Sequence, residues 1–342
     1  MYYYVKTNKG EWLTFPLSHQ NDTLSSWMPR PGTVQYAEIY MTGEKIPVVI
    51  DQEGLRVPDF DPIQYNNPKK FLFLGSSYCF GHGVAAENTF AYLATRNIDS
   101  SAECLNAGVC GQGYITQMQR AAYLIPKYKP QLVVVEYQDM QVLRCHSYYL
   151  NEFPVHHALP YFSDAPDGSF ILHPPVFQND LDTVICQITP STPVSLKECL
   201  TMLKLGGKFM IADHCRWGVT TVRSVCGNLP KPTRKRQAIM DFALHSIDSI
   251  CKQNGARLLI CGINYNDQYS VDSSYCYVNA EKKMRSLLKP SESYDAKYRI
   301  HRGNPPVRIN DHHNEYANGL IAHEIMEKVK ECYPELMSKQ TK

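Results

Sequence analysis

The chain has 342 residues, 44% of them hydrophobic and 20% charged, with a formal net charge of +2. That length allows one large α/β domain or two ordinary ones. The near-neutral balance implies no polyanion-binding surface, so nucleic acid is not an expected partner.

Residues 1–65 are rich in Tyr, Thr and Val, with turn signals in NKGE, RPGT and TGEK. They read as short antiparallel strands forming a small N-terminal β-rich extension, followed by a main domain over 66–342. No basic stretch followed by an apolar core opens the chain, so no secretory signal is expected. From KFLFLG (70–75) the pattern becomes alternating strand and helix: a short apolar run ending in Gly suits a strand buried on both faces. Residues 86–98 are helical, 102–108 a second strand, 114–128 a second helix, and PQLVVVEYQ (130–138) a third strand with a β-branched core.

Residues 145–230 are irregular, rich in Pro, His and aromatics, and read as a long insertion or lid. The longest apolar run, 202–219, lies inside it. Lys204, Lys208, Asp213, His214 and Arg216 interrupt that run, so no membrane span is expected. A helix over about 234–253 closes on Asn254-Gly255 and feeds the strand ARLLICGI; KPTRKR (231–236) just before it reads as a solvated face. A last helix covers 314–333. The sum is a three-layer α/β/α sandwich around a parallel sheet. Twelve cysteines contain no CxxC pair and lie mostly in apolar stretches, so free buried thiols and a cytoplasmic location are expected.

Sites in such sheets lie beyond the carboxyl ends of the strands. Ser76-Ser77, Gly108–Gly113, residues 138–144 and NDHHN would converge there. GSSYCFGHG lacks the GxSxG spacing of a nucleophile elbow and the GK[ST] of a phosphate loop. In order, however, GSSYCFGHGV (75–84), NAGVCG (106–111), the third strand and NDHHNEYANGLIA (310–322) resemble the SGNH/GDSL hydrolases, whose first block reads G-D-S-x-x-x-G-x-G-V and second N-x-G-x-x-G. IDQEGLRVPDF (50–60) is similar to an Asn-x-x-Gly-x-Arg segment preceding the first block in many bacterial members. The resemblance covers about 50–142 and 233–333.

The resemblance implies ester hydrolysis or acyl transfer with Ser77 as nucleophile and a histidine from the terminal block as base. A hydroxyl needs such a base to take its proton. Two alignments are open. Asp311 with His313 restores a D-x-H spacing and is favoured because it supplies an orienting carboxylate. His312 is the alternative, with Asn310 two residues before it. The implied oxyanion hole combines the Ser77 and Gly111 amides with a side-chain donor. There the chain departs from the family pattern: Met140 stands at the usual Asn, with Gln138 or Gln141 as substitute donors, and Ser76 replaces the Asp of G-D-S. Arg144 is a candidate for an anionic substrate group or for pairing with Asp139.

No metal or organic cofactor is required by this chemistry, and the implied substrate is a small-molecule or glycan ester. His82, between two glycines, reads as solvent-facing. His146, His156, His157 and His173 lack ligand-spaced partners, and Asp213-His214 reads as a buried polar pair or cap. A non-catalytic binding protein of the same fold is the rival, motivated by Met140 and Ser76. A Rossmann-type nucleotide site lacks its G-x-G-x-x-G turn and acidic residue.

Overall fold

The computed structural model describes residues 4–7, 10–13, 19–22, 26–39, 44–58, 67–145, 149–152, 155–175, 230–263, 269–303 and 306–338. Most of the expected lid over 145–230, including Asp213-His214, lies outside them.

Eight strands form the main sheet: β1 (Thr33–Ile39), β2 (Glu44–Ile50), β3 (Arg56–Val57), β4 (Lys70–Leu74), β5 (Glu103–Asn106), β6 (Leu132–Tyr137), β7 (Arg257–Gly262) and β8 (Cys276–Asn279). Their spatial order is β8-β7-β6-β4-β5-β3-β2-β1. The pairs β8–β7, β7–β6, β6–β4 and β4–β5 are parallel. β3 then joins β5 antiparallel, and β2 and β1 follow antiparallel, so strands from the N-terminal region continue the same sheet. The helices are α1 (Ser77–Phe80), α2 (Phe90–Ile98), α3 (Tyr114–Tyr128), α4 (Asp139–Leu143), α5 (Arg236–Gln253), α6 (Ala280–Ser286), α7 (Tyr294–Tyr298) and α8 (Glu315–Cys332).

Period-two alternation builds the two cores. Leu72, Leu74, Val133, Val135, Leu258 and Ile260 face α3 and α5. Phe71, Phe73, Leu132, Val134, Leu259 and Cys261 face α2, α6 and α8. Both faces are therefore covered, which is why β4 and β6 are buried along their whole length. Each such fully buried side chain contributes about 1.5–3 kcal/mol relative to exposure. The result is an α/β/α sandwich whose parallel strands run, in chain order, 2-1-3-4-5. The order in which strands are added reverses between β4 and β6, and the carboxyl ends of those two parallel strands flank the switch-point crevice.

Helix ends follow local chemistry. Thr89 Oγ1 accepts from the Tyr92 amide at 3.4 Å to start α2, and Asn314 Oδ1 accepts from Ala317 at 2.9 Å to start α8. α5 stops at Asn254-Gly255, with Gly255 at φ 72°. Beyond the sheet, β9 (Arg299–Arg302) and β10 (Val307–His313) form an antiparallel pair carrying NDHH up to the α8 cap.

One expectation is corrected. Cys276 on β8 and Cys332 at the end of α8 form a disulfide, with Cα atoms 6.4 Å apart. The spacing of the two residues gives no hint of it, because the edge strand and the last helix meet only after folding. Cys79, Cys104, Cys110, Cys145, Cys251 and Cys261 are free and buried. Among the described residues no helix is long and apolar enough to cross a membrane.

Candidate active site

The register Val135↔Leu74 sets the site's floor. One step beyond it, β4 turns through Gly75-Ser76 into α1, and β6 ends in Glu136-Tyr137. Ser77 opens α1, so its N–H is one of those a helix start leaves without an intrahelical acceptor. The loop after β5 packs directly beneath. Asn106 donates from Nδ2 to the Cys79 carbonyl at 2.9 Å, and its Oδ1 accepts from the Gly108 amide at 3.1 Å. A Cβ on Gly108 would run into Phe80 N and Cys79 C, backbone atoms that cannot swing away. The N-x-G spacing is thus a packing requirement: it lets the second block lie against the Ser76-Ser77 turn and brings buried Gly111 to the same end of the sheet.

β10 delivers the histidines. Consecutive strand residues point to opposite sides, so His312 and His313 cannot both face Ser77. His312 Nε2 lies 2.8 Å from Ser77 Oγ. His313 is buried on the other side, its Nε2 3.2 Å from Tyr294 Oη. The favoured alignment of Asp311 with His313 does not match this arrangement: the Asp311 side chain is 75% exposed and paired to Arg308. Asn318, buried in α8, donates to the carbonyls of His313 and Asn314 at 3.1 and 2.9 Å and accepts from the Phe90 amide at 3.0 Å, locking the end of β10 to α2.

Rings surround His312. Tyr78 lies 4.9 Å from it and His82 4.8 Å, centroid to centroid. Half-buried His82 therefore faces the candidate base, correcting the solvent-facing reading. Tyr78 donates to the Asp311 carbonyl at 3.0 Å and accepts from Arg299 at 3.1 Å. Burial holds the His312 imidazole well below its ordinary range, and repulsion from any charge on His82 or His313 and from the Arg299 and Arg144 guanidiniums pushes the same way. His82 is lowered to about 4, by burial first and Arg56 second. A neutral imidazole 2.8 Å from a hydroxyl is in the state and place a general base needs.

The side chains expected as oxyanion donors lie elsewhere. Met140 is 44% exposed on α4. Gln141 is buried and donates from Nε2 to Glu136 Oε1 at 2.8 Å, while Gln138 Nε2 donates to Ser76 Oγ at 2.8 Å. Neither expected substitute donor is directed at Ser77. Arg144 donates to the Gln112 carbonyl at 3.2 Å, next to Gly111, with its charge within reach of His312.

Two residues of this region have roles that the sequence leaves unassigned. Arg56, 1% exposed, donates to the carbonyls of Phe80, Gly81 and Val84 and lies over the Phe80 ring at 4.9 Å. The G-x-R of the segment before the first block was its signal, and its work is to clamp the loop after α1. Glu136 is the second, a lone acidic residue in an otherwise apolar buried strand.

No family model and no curated protein match the chain. Among solved structures it is similar to one called TesA, at 11% identity and TM-score 0.38, over 77% of this chain and 99% of that one. It is similar to an esterase, EstA, from Pseudoalteromonas sp., at 13% identity and TM-score 0.37, over 77% and 97%. A third is an acetylxylan esterase from Geobacillus stearothermophilus, at 13% identity and TM-score 0.30, over 77% and 94%. A protein described as lipolytic and of the G-D-S-L family, from Desulfitobacterium hafniense, matches at 10% identity and TM-score 0.37 over 76% and 99%.

Proposed function

We propose that the chain is a serine-dependent ester hydrolase or acyl transferase, with Ser77 as nucleophile and His312 as base. The observation that carries this reading is the 2.8 Å contact between Ser77 Oγ and His312 Nε2 at the carboxyl end of β4. Ser77 Oγ attacks the acyl carbonyl carbon while its proton passes to Nε2. The Ser77 and Gly111 amides are the donors offered to the oxyanion. The tetrahedral adduct collapses, the protonated imidazole returns its proton to the leaving alcohol, and an acyl-serine remains. Water, deprotonated by the same imidazole, then releases the acid; an acceptor hydroxyl in its place gives transfer. The substrate class that the sequence resemblance implies is an O-acyl ester, such as an acetylated carbohydrate, with Arg144 at the rim to meet an anionic group.

A second reading, binding without turnover, is favoured by Met140 and by the engagement of Gln141 with Glu136, which leave α4 without an oxyanion donor. Hydrolysis of p-nitrophenyl acetate decides between them. The enzyme reading predicts turnover that Ser77→Ala abolishes. Absence of turnover in wild type supports binding alone, and full activity in Ser77→Ala removes Ser77 from the chemistry.

A further inference from the structure

An acidic side chain on β6 lies against Ser76 and four residues before Met140, the two positions at which the chain departs from the family pattern. Glu136 is 1% exposed, in the layer directly under Ser77. Its Oε2 accepts from the Ser76 amide at 3.1 Å and the Cys79 amide at 2.7 Å. Its Oε1 accepts from Ser76 Oγ at 2.7 Å, from Gln141 at 2.8 Å, and from Gln138. Gly75 makes room for this: a Cβ there would collide with Glu136 Oε2 and with Cys79 Cβ.

We propose that Glu136 is the positioning residue for Ser77, and that the nucleophile turn is built around one buried carboxylate supplied from β6 rather than from residue 76. This rests on the proposed role of Ser77 as nucleophile. The amides of residues 76 and 79 bracket Ser77, and both are tied to one oxygen. The backbone of the serine is thereby fixed on either side, while its own N–H is not drawn into the cluster. Five donors aimed at two oxygens suit an ionised acceptor, because hydrogen bonds to a charged acceptor are roughly twice as strong as neutral ones. Burial raises the pKa of Glu136 above the ordinary carboxylate value, and the hydrogen bonds from Ser76, Gln138 and the Cys79 and Ser76 amides oppose that rise. Gln138 and Gln141, the side chains nearest the missing Asn, complete this shell. Their conversion from expected oxyanion donors to carboxylate ligands follows from where Glu136 sits. Ser76 is short enough to admit that carboxylate, whereas an Asp at 76 would place a second negative group against it.

The test is a charge relocation. Glu136→Gln, folded by circular dichroism, is expected to lose at least tenfold in kcat for p-nitrophenyl acetate with KM within threefold. Ser76→Asp alone, with two carboxylates in one dry pocket, is expected to lose activity likewise. The double variant Ser76→Asp/Glu136→Gln restores a single carboxylate and is expected to recover at least fivefold in kcat over Glu136→Gln. A purely structural Glu136 would instead move melting temperature and leave this kcat pattern flat. The proposal is overturned if folded Glu136→Gln keeps kcat within twofold, or if the double variant is no better than Glu136→Gln. Should Glu136→Gln fail to fold, the double variant decides: folded and active it supports the clamp, unfolded it overturns it. Wild type that neither hydrolyses esters nor labels with a fluorophosphonate defeats the proposed function instead. Amide exchange then tests the clamp, which requires Ser76 and Cys79 to be protected in wild type and to lose that protection on substitution of Glu136.

Discussion

Replacing each imidazole in turn separates two residues that sequence alone left as alternatives. In His312→Gln the amide fills part of the ring's space but cannot take the Ser77 proton. The Nε2–Oγ distance of 2.8 Å lies inside the range for direct transfer. A positioned general base is worth roughly 10²–10⁴-fold, so a loss near ~10³ in kcat, about 4 kcal/mol of barrier, is expected. His313→Gln loses the 3.2 Å contact with Tyr294, a neutral hydrogen bond worth about 0.5–1.5 kcal/mol of stability, and an edge-on ring contact with Tyr78 at 4.9 Å. Its kcat is expected to stay within about tenfold of wild type, a change below 1.4 kcal/mol. Initial rates on p-nitrophenyl acetate, with urea unfolding as a control for folding, read both. A folded His313→Gln that is as inactive as Ser77→Ala, beside an active His312→Gln, would refute the assignment of His312.

Further outcomes follow from the geometry of the site and of the fold. In the proposed role His312 must be neutral, and its folded value lies below the ordinary 6.5, so activity should persist below pH 6.5 and fall only as pH drops through the lowered value. Arg144→Met should move that acid limb upward, and an unmoved limb contradicts the electrostatic role of Arg144. Buried neutral His312, His313 and His82 all have folded values below 6.5, so unfolding takes up protons and stability should decline as pH falls below about 6.5, measured by urea midpoints. Gly108→Ala, which puts a Cβ against the Cys79–Phe80 backbone, should cost roughly 1–3 kcal/mol by overpacking and lower kcat as α1 is displaced; wild-type stability would refute the packing account. Reducing Cys276–Cys332, which closes a span of 56 residues, should lower stability by up to ~4 kcal/mol in the chain-entropy account. An unchanged urea midpoint, or a mass showing both thiols free in the oxidised protein, counts against that bond.

Much of the sandwich was legible because buried parallel strands announce themselves. KFLFL and LVVVEY are unbroken apolar or β-branched runs, and the helices over 114–128 and 236–253 carry helical spacing with clear stops. β8 was not legible, since CYVN is an edge strand of four residues with only Cys276 buried. RIHR and VRINDHH were not recognisable as strands either, because their polar residues serve the site and the helix cap rather than a core. That omission explains the histidine ambiguity: alignment treats NDHH as a string, whereas strand alternation sends His312 and His313 to opposite sides. The contacts of Glu136 and Arg56 escaped for a different reason. Glu136 looks like an isolated charge in sequence and Arg56 shows only as the end of a G-x-R segment, and both acquire their meaning from amides and carbonyls that are distant along the chain.

The central claim is that Ser77, activated by His312, is the nucleophile. Its most direct measurement is peptide mass mapping after treatment with a fluorophosphonate. The account predicts one adduct, on the peptide carrying Ser77, lost in Ser77→Ala and slowed at least a hundredfold in His312→Gln. An adduct on another residue, or labelling at the wild-type rate in His312→Gln, would contradict it.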